Sequence, residues 1–144
     1  MQAEVVFYVL ASQSQQQRQD FVCRLIEKVY RSGHFCYVLT DSVQQAEQLD
    51  KLLWTFRPGS FIPHQLFITG VMPDYTGTIL IGSEPVPEGW QAVIVNLSMA
   101  YPPLQGSGQR ILEILDNSEV SKQAGRERYR HYQQLGLDIT THKL

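Results

Sequence analysis

The sequence lacks the excess of positive charge that general nucleic-acid binders carry. Its 144 residues include 12 Lys and Arg against 14 Asp and Glu, which gives a formal net charge of −2 at pH 7. Phosphate contacts supply most of the affinity of such binders, so their surfaces are usually basic. The composition argues against direct binding of nucleic acid and leaves open a local basic patch.

Cysteine and long apolar runs are also scarce. Cys23 and Cys36 both lie among apolar residues, without a CxxC motif or metal-ligand spacing. We predict two buried thiols, with a disulfide or redox pair as the alternative. No apolar run approaches the roughly 20 residues of a membrane span, and no secretory signal sequence is visible. These features predict a cytoplasmic protein that does not contact a membrane.

The motifs of nucleotide and metal enzymes are missing as well. The first apolar run continues into Ala-Ser-Gln-Ser-Gln at 11–15, where a dinucleotide fold would carry glycines. The isolated Gly-x-Gly at 106–108 precedes a strand pattern instead of following one, and HExxH and GxSxG motifs are absent. We predict no catalytic residue, no metal and no cofactor. Paired carboxylates among three loop residues stay an open alternative: Asp74, Glu84 and Glu88.

Apolar runs and amphipathic stretches alternate along the chain. The apolar runs predict strands at 4–10, 35–39, 65–69, 78–81, 92–97 and 110–115, with a short helix as the alternative at 110–115. Helices are predicted from the caps at 12–14 to 31, from 41 to 54 and from 118 to 135. This order predicts an α/β fold of Rossmann-like, three-layer type, with a mostly parallel sheet and helices on both faces. We expect one domain over 1–144.

The helix patterns also predict caps and buried faces. Asp41 is the expected N-cap of the second helix, with Gln44 completing a capping box. The inner face of that helix is expected to comprise Val43, Ala46, Leu49 and Leu53. The last helix is expected to turn four residues to the core: Val120, Ala124, His131 and Leu135. The tail after Gly136 is expected to be short and polar.

The segment 53–64 combines a helix end with a loop rich in proline and glycine. It still carries four large apolar side chains: Trp54, Phe56, Phe61 and Ile62. Phe56 and Ile62 are expected to close the core. Exposed aromatic patches mark partner surfaces, and Trp is enriched among binding hot spots. The segment is therefore a candidate protein-binding surface.

The last helix carries a basic stripe. At 100° per residue, one outward face collects Lys122, Arg126, Tyr129 and Arg130. Glu127 is the only acid between 122 and 132, and the tyrosine gives the stripe an apolar centre. A solvated charged face is the simpler interpretation. The alternative is a site for an acidic peptide with aromatic residues and a free carboxylate, which arginine can grip bidentately.

Four blocks of the sequence together resemble the chi subunit family of DNA polymerase III. They are Phe-Tyr-Val-Leu at 7–10, Arg-Ser-Gly at 31–33, Leu-Trp followed by Ser-Phe-Ile-Pro-His within 53–64, and Arg-Glu-Arg-Tyr at 126–129. Their order and spacing match over essentially the whole chain, and 67–91 matches least.

The resemblance implies a non-catalytic accessory subunit of the polymerase III holoenzyme that acts in DNA replication. Family members bridge the psi subunit, which ties chi to the clamp loader, and the acidic C-terminal tail of single-stranded-DNA-binding protein. Contact with DNA is then mainly indirect. Carried over by position, the psi-facing surface comprises Trp54 and Phe61. The tail-binding surface comprises Leu115, Lys122, Arg126, Tyr129 and Arg130.

Two of these positions depart from the family pattern. Leu115 stands where the pattern has a smaller β-branched residue, and Arg130 stands where it has Lys, so the shape and the hydrogen-bond geometry of the surface change. Two other functions also stay open. An α/β nucleotide-binding enzyme would hold its ligand at the carboxyl ends of the strands. A helicase accessory protein would use the same aromatic surface as psi.

Overall fold

The computed structural model describes residues 3–59, 61–68, 70–75, 77–104 and 108–144. Within them the chain forms three helices: α1 (Gln15–Arg31), α2 (Val43–Thr55) and α3 (Glu119–Gln134). It also forms seven strands: β1 (Glu4–Val9), β2 (Tyr37–Leu39), β3 (His64–Leu66), β4 (Ile79–Gly82), β5 (Val93–Asn96), β6 (Arg110–Leu115) and β7 (Asp138–Lys143). Most of the Gly-x-Gly at 106–108, and the end of the strand predicted at 65–69, lie outside the described residues.

The strands form one parallel sheet in the order β3-β4-β2-β5-β6-β1-β7. Crossovers between parallel strands are nearly always right-handed. The connections through α1 and α2 run toward the β3 edge, so both helices lie on one face, the α1/α2 face. Every later connection runs toward β7, which places α3 on the opposite face, the α3 face. The predicted α/β fold with a mostly parallel sheet is confirmed.

The α1/α2 face carries the largest core cluster. Val38, Ile81 and Leu112 from three strands are at most 1% exposed there. Cys23 and Cys36 are fully buried in the same cluster as free thiols, as predicted. Burial raises the pKa of each thiol to about 12, so both stay protonated at neutral pH.

The cap of α2 differs from the prediction. Ser42 is the N-cap, and its Oγ accepts a hydrogen bond from the backbone N–H of Gln45 at 3.1 Å. The predicted cap of Asp41 with Gln44 was therefore wrong by one residue. Asp41 Oδ1 instead accepts from the backbone N–H of Met99 at 3.0 Å, because its side chain reaches the loop after β5.

The buried face of α2 follows the prediction except at its first residue. Three of the four predicted side chains are about 1% exposed: Ala46, Leu49 and Leu53. Val43 is 44% exposed. It is the first residue of α2 and precedes the first buried turn, so it has little of the sheet beneath it.

Loops cover the α3 face over the strands nearer the β3 edge. Val86 and Trp90 from the loop between β4 and β5 pack on Tyr37 and Ile94. Trp90 Nε1 donates to the carbonyl oxygen of Thr78 at 2.8 Å, which satisfies its polar group inside the cluster. This leaves α3 to cover the strands nearer the β7 edge.

The C-terminal segment is a strand and not a polar tail. β7 pairs in parallel with β1 up to Val9↔Lys143, and the N–H of Leu144 donates to Val9 O at 2.9 Å. The prediction of a polar tail was wrong because an edge strand tolerates polar residues that an inner parallel strand excludes. The β-branched run at 139–141 is the local signal for this strand.

Candidate functional site

A groove of about 440 Å³ lies between α3 and the β7 edge of the sheet. The α3 side consists of Lys122, Gly125, Arg126, Tyr129 and Arg130. The sheet side consists of Phe7 and Val9 from β1, Leu115 from β6, and Thr141 and Lys143 from β7. We call it the α3–β7 groove. It brings together all five residues that the family resemblance assigns to one surface.

Apolar side chains line the bottom of the α3–β7 groove. The rings of Tyr129 and Phe7 lie with their centroids 5.5 Å apart, and Tyr129 is 37% exposed. Leu115 is 7% exposed and touches α3 where Gly125 leaves room for it. A Cβ on Gly125 would collide with Leu115 Cδ1, so glycine is what allows this close approach of helix and strand.

Four cations surround this apolar surface: Lys122, Arg126, Arg130 and Lys143. Lys122 Nζ lies 3.3 Å from Glu119 Oε1, whose side chain is 83% exposed. Arg126 Nη1 donates to Gln123 Oε1 at 3.0 Å. Surface contacts of this kind contribute little stability and are readily exchanged for a ligand. The groove can therefore offer guanidinium and ammonium groups to an anion beside an apolar ring.

α3 turns a polar face toward the sheet, and the predicted core face was wrong. The buried residues of α3 are Ser121, Gly125, Arg128 and Tyr132. Val120 is 70% exposed and Leu135 is 46% exposed, and Ala124 is half-buried. His131 is half-buried and packs against Tyr101, with ring centroids 4.9 Å apart and the ring planes tilted by 57°, instead of lying in the core. Apolar periodicity failed here because the buried face combines a polar contact of Arg128 and Tyr132 with Glu113 and a close approach at Gly125, neither of which requires an aliphatic side chain.

A buried ion pair joins α3 to β6. Arg128 Nε and Nη2 each lie 3.1 Å from the carboxylate of Glu113, and these side chains are 1% and 0% exposed. Tyr132 donates its hydroxyl hydrogen to Glu113 Oε2 at 2.6 Å, and Asn96 Nδ2 donates to the same carboxylate at 3.1 Å. Arg128 Nη1 also lies 3.3 Å from the carbonyl oxygen of Met99.

Burial is the largest cause of the pKa shifts in this cluster. It raises the pKa of Glu113, against the opposing effect of the Arg128 charge and three hydrogen-bond donors. Burial and the nearby Glu113 carboxylate raise the pKa of Tyr132 as well. Because every oxygen of the carboxylate accepts hydrogen bonds, the cluster is satisfied without water.

Trp54 and Phe61 are exposed near the β3 edge. Trp54 is 62% exposed at the end of α2, and Phe61 is 85% exposed in the loop that precedes β3. Phe56 and Ile62 pack on the core, as expected. The two aromatic side chains that the resemblance assigns to one surface are thus available at the sheet edge opposite the α3–β7 groove.

His64 holds the segment that carries these aromatic residues. Its side chain is 1% exposed, and its Nδ1 and Nε2 lie 2.7 Å and 3.1 Å from the carbonyl oxygens of Ile62 and Asp50. The Trp54 ring lies 4.5 Å from the His64 ring. The imidazole therefore ties the start of β3 to α2 and supports Trp54 from beneath.

The carboxyl ends of β5 and β6, where a nucleotide fold would hold its ligand, are covered by a protein side chain. Arg18 of α1 donates from Nη2 to the carbonyl oxygens of Leu97, at 2.9 Å, and Ile114, at 3.3 Å. Burial lowers the pKa of Arg18, although the nearby Asp116 and Asp41 carboxylates act in the opposite direction. The guanidinium thus occupies carbonyl oxygens at the ends of two strands.

Neither a metal-ligand cluster nor a membrane-spanning helix is found among the residues that the structure describes. Those residues contain no group of three or more His, Cys, Asp and Glu side chains that could hold a metal ion. None of the described helices is long and apolar enough to span a membrane.

The sequence did not identify five residues of the groove as site residues: Phe7, Val9, Gly125, Thr141 and Lys143. Thr141 and Lys143 were missed because their strand was read as a tail. The β-branched run at 139–141 was the available signal for it. Gly125 stands in the middle of a helix, where glycine is unfavourable, and that cost was a hint of close packing.

The fold and the groove define an α/β protein whose parallel sheet carries a basic, apolar-lined cleft at one edge and exposed aromatic residues at the other. A family model described as "DNA polymerase III chi subunit, HolC" matches residues 1–140. The chain belongs to this chi subunit family, as the four sequence blocks predicted. Membership gives it an accessory role in DNA replication.

Three relatives carry the name DNA polymerase III subunit chi. The protein of Pseudomonas aeruginosa is 30% identical over 140 residues, covering 97% of this chain and 96% of its own length. That of Haemophilus influenzae is 26% identical over 138 residues, covering 94% and 93%. That of Escherichia coli is 24% identical over 131 residues, covering 85% and 83%.

Proposed function

We propose that this protein is a single-domain, non-catalytic connector in the DNA polymerase III holoenzyme. In this proposal the α3–β7 groove binds the acidic C-terminal tail of single-stranded-DNA-binding protein, and Trp54 and Phe61 bind the psi subunit of the clamp loader. The observation that carries it is the meeting of Leu115, Tyr129 and three cations of α3 in one groove.

The chemistry of the groove matches such a tail. Its arginines can take the terminal carboxylate bidentately, and the apolar bottom formed by Phe7, Leu115 and Tyr129 can take an aromatic side chain. A contact of a few charges and one or two rings is roughly micromolar. Several tails held on one DNA strand raise the avidity by roughly 10² or more, without any contact between this protein and DNA.

Titration of a fluorescently labelled tail peptide tests the groove. We expect Arg126→Ala and Tyr129→Ala each to weaken binding about tenfold, because one loses a charge-assisted contact and the other the apolar centre. Arg24→Ala, which removes an exposed arginine from α1 on the opposite face, is the matched control and should bind as the wild type does. Wild-type affinity in both groove variants, with folding intact, would refute the assigned site.

The psi surface has a separate test. Trp54→Ala and Phe61→Ala should each reduce capture of purified psi severalfold, since exposed aromatic anchors carry much of the energy of such interfaces. Tyr101→Ala, at a side chain 49% exposed elsewhere on the surface, is the control. If psi is retained by both variants but a helicase partner is lost, the alternative role as a helicase accessory is favoured instead.

The two proposed surfaces suit a bridging role because they lie at opposite edges of the sheet. β3 and β7 are the first and last strands of seven. With strands about 4.8 Å apart, the edges are separated by roughly 29 Å. Two partners could therefore bind at once without touching one another.

The absence of catalysis is part of the proposal and has its own check. A nucleotide-binding enzyme of this fold class would be stabilised by its ligand. We expect ATP, NAD and other nucleotides to leave the melting temperature unchanged, while the tail peptide raises it. A nucleotide-dependent rise would favour the enzyme alternative.

A further inference from the structure

α3 packs against the sheet in an orientation that apolar burial explains only in part. Its two branched aliphatic side chains near the ends, Val120 and Leu135, are 70% and 46% exposed. The face that is buried instead consists of Ser121, Gly125, Arg128 and Tyr132. The ring of Tyr132 packs with Phe7 and Leu115 on this face. Apolar burial does not account for the inward position of the Arg128 guanidinium, so another interaction must help to set the rotation of the helix about its axis.

The buried ion pair is the interaction that can do so. Arg128 holds Glu113 through two nitrogen atoms, and Tyr132, one turn further along α3, donates to the same carboxylate at 2.6 Å. Glu113 is itself fixed within β6, between β5 and β1. Two side chains of α3 that converge on one fully buried carboxylate leave the helix a single favourable rotation, because any other leaves that charge unpaired.

The rotation decides whether a groove exists. With 3.6 residues per turn, the observed buried face lies roughly 80° around α3 from the face that its apolar residues predict. With the predicted face inward, the basic stripe would point roughly 165° away from the sheet, straight into solvent. With the observed face inward, the stripe lies roughly 115° from the sheet direction and overlooks β1 and β7. Only the second arrangement makes the stripe one wall of the α3–β7 groove.

We propose that Glu113 and Arg128 are positioning residues, which orient α3 so that its basic stripe faces β7 and forms the groove. They do not line the groove, so they act through Tyr129 and Arg126 rather than on a ligand. The binding part of this inference rests on the proposed function, and the structural part does not.

The test replaces the polar cluster by apolar groups of similar size. The variant Glu113→Leu/Arg128→Met/Tyr132→Phe removes the carboxylate together with the α3 groups that depend on it. Asn96 keeps its hydrogen bond to Ala100 O at 3.0 Å. Apolar replacement of a whole buried ion cluster is commonly tolerated, so we expect cooperative thermal unfolding to persist.

Two readouts then decide the matter. We expect the labelled tail peptide to bind at least tenfold more weakly and the nuclear Overhauser contact between the Phe7 and Tyr129 rings to be lost. A folded triple variant with unchanged affinity and an unchanged ring contact overturns the proposal, even if its stability has fallen. Ile26→Val, a core change on the α1/α2 face, is the control that lowers stability without reaching α3.

A second variant keeps the inference testable if the triple variant does not fold. Arg128→Lys retains a buried positive charge beside Glu113 but loses the two-nitrogen grip and the contact with Met99. We expect a severalfold loss of tail affinity and a weaker ring contact, and no change in either would overturn the proposal. If the wild type fails to bind the tail, the proposed function fails, while the ring contact still reports on the orientation of α3.

Discussion

Two arginines two residues apart in α3 have opposite surroundings. Arg126 is exposed at the groove and its closest polar contact is a neighbouring glutamine. Arg128 is 1% exposed and faces the Glu113 carboxylate. The same type of side chain is exposed to a ligand at one position and forms internal structure at the other, and the difference lies only in which face of the helix each occupies.

This contrast predicts different costs of truncation. Arg128→Ala should lower the free energy of unfolding by about 3–5 kcal/mol, because it leaves the Glu113 charge buried without its partner. Arg126→Ala should change the free energy of unfolding by no more than about 0.5 kcal/mol. Urea denaturation of the two variants checks this, and equal stabilities would contradict the buried ion pair.

At the scale of the element, α3 and β7 build the groove together. α3 supplies cations and one ring, and β7 supplies Thr141 and Lys143 from the sheet edge. Their distance from each other depends on how closely α3 approaches β6, and Gly125 sets that approach by leaving space for Leu115.

Gly125→Ala should therefore destabilise the protein although alanine is the better helix former. Alanine would favour an unpacked helix by about 1 kcal/mol, but its methyl group would meet Leu115, and such overpacking typically costs about 1–3 kcal/mol. We expect a lower melting temperature and a weaker tail interaction. Gly125→Ala combined with Leu115→Ala, which removes the obstacle, should recover part of the stability, and no recovery would argue against this contact.

For the molecule as a whole, the handedness of the crossovers places the groove and the exposed aromatic residues at opposite edges of the sheet. All connections after β3 run toward β7 and build the α3 face, which ends in the groove, while α2 brings Trp54 to the β3 edge. The net charge of −2 coexists with four cations around one groove. The basic character is thus local, as the proposed binding of an acidic peptide requires.

The separation of the two edges predicts independent binding. Saturating the Trp54 and Phe61 surface with psi should leave the dissociation constant for the tail peptide within about twofold of its value for the free protein, because coupling between sites requires a shared change in structure. Fluorescence anisotropy in the presence and absence of psi measures this. Mutual exclusion of the two ligands would show that the bridging arrangement is wrong.

Sequence patterns alone determined the α/β class, most strand positions, the buried thiols and the family, because apolar runs, helix caps and conspicuous residue blocks are local features. They could also single out the α3 stripe and the exposed aromatic residues. The tertiary structure alone decided which face of α3 is buried, since Glu113 meets Arg128 only when β6 and α3 come together. It likewise decided that 138–143 is a strand, because a polar edge strand is stabilised mainly by its neighbour β1 and hardly by its own composition.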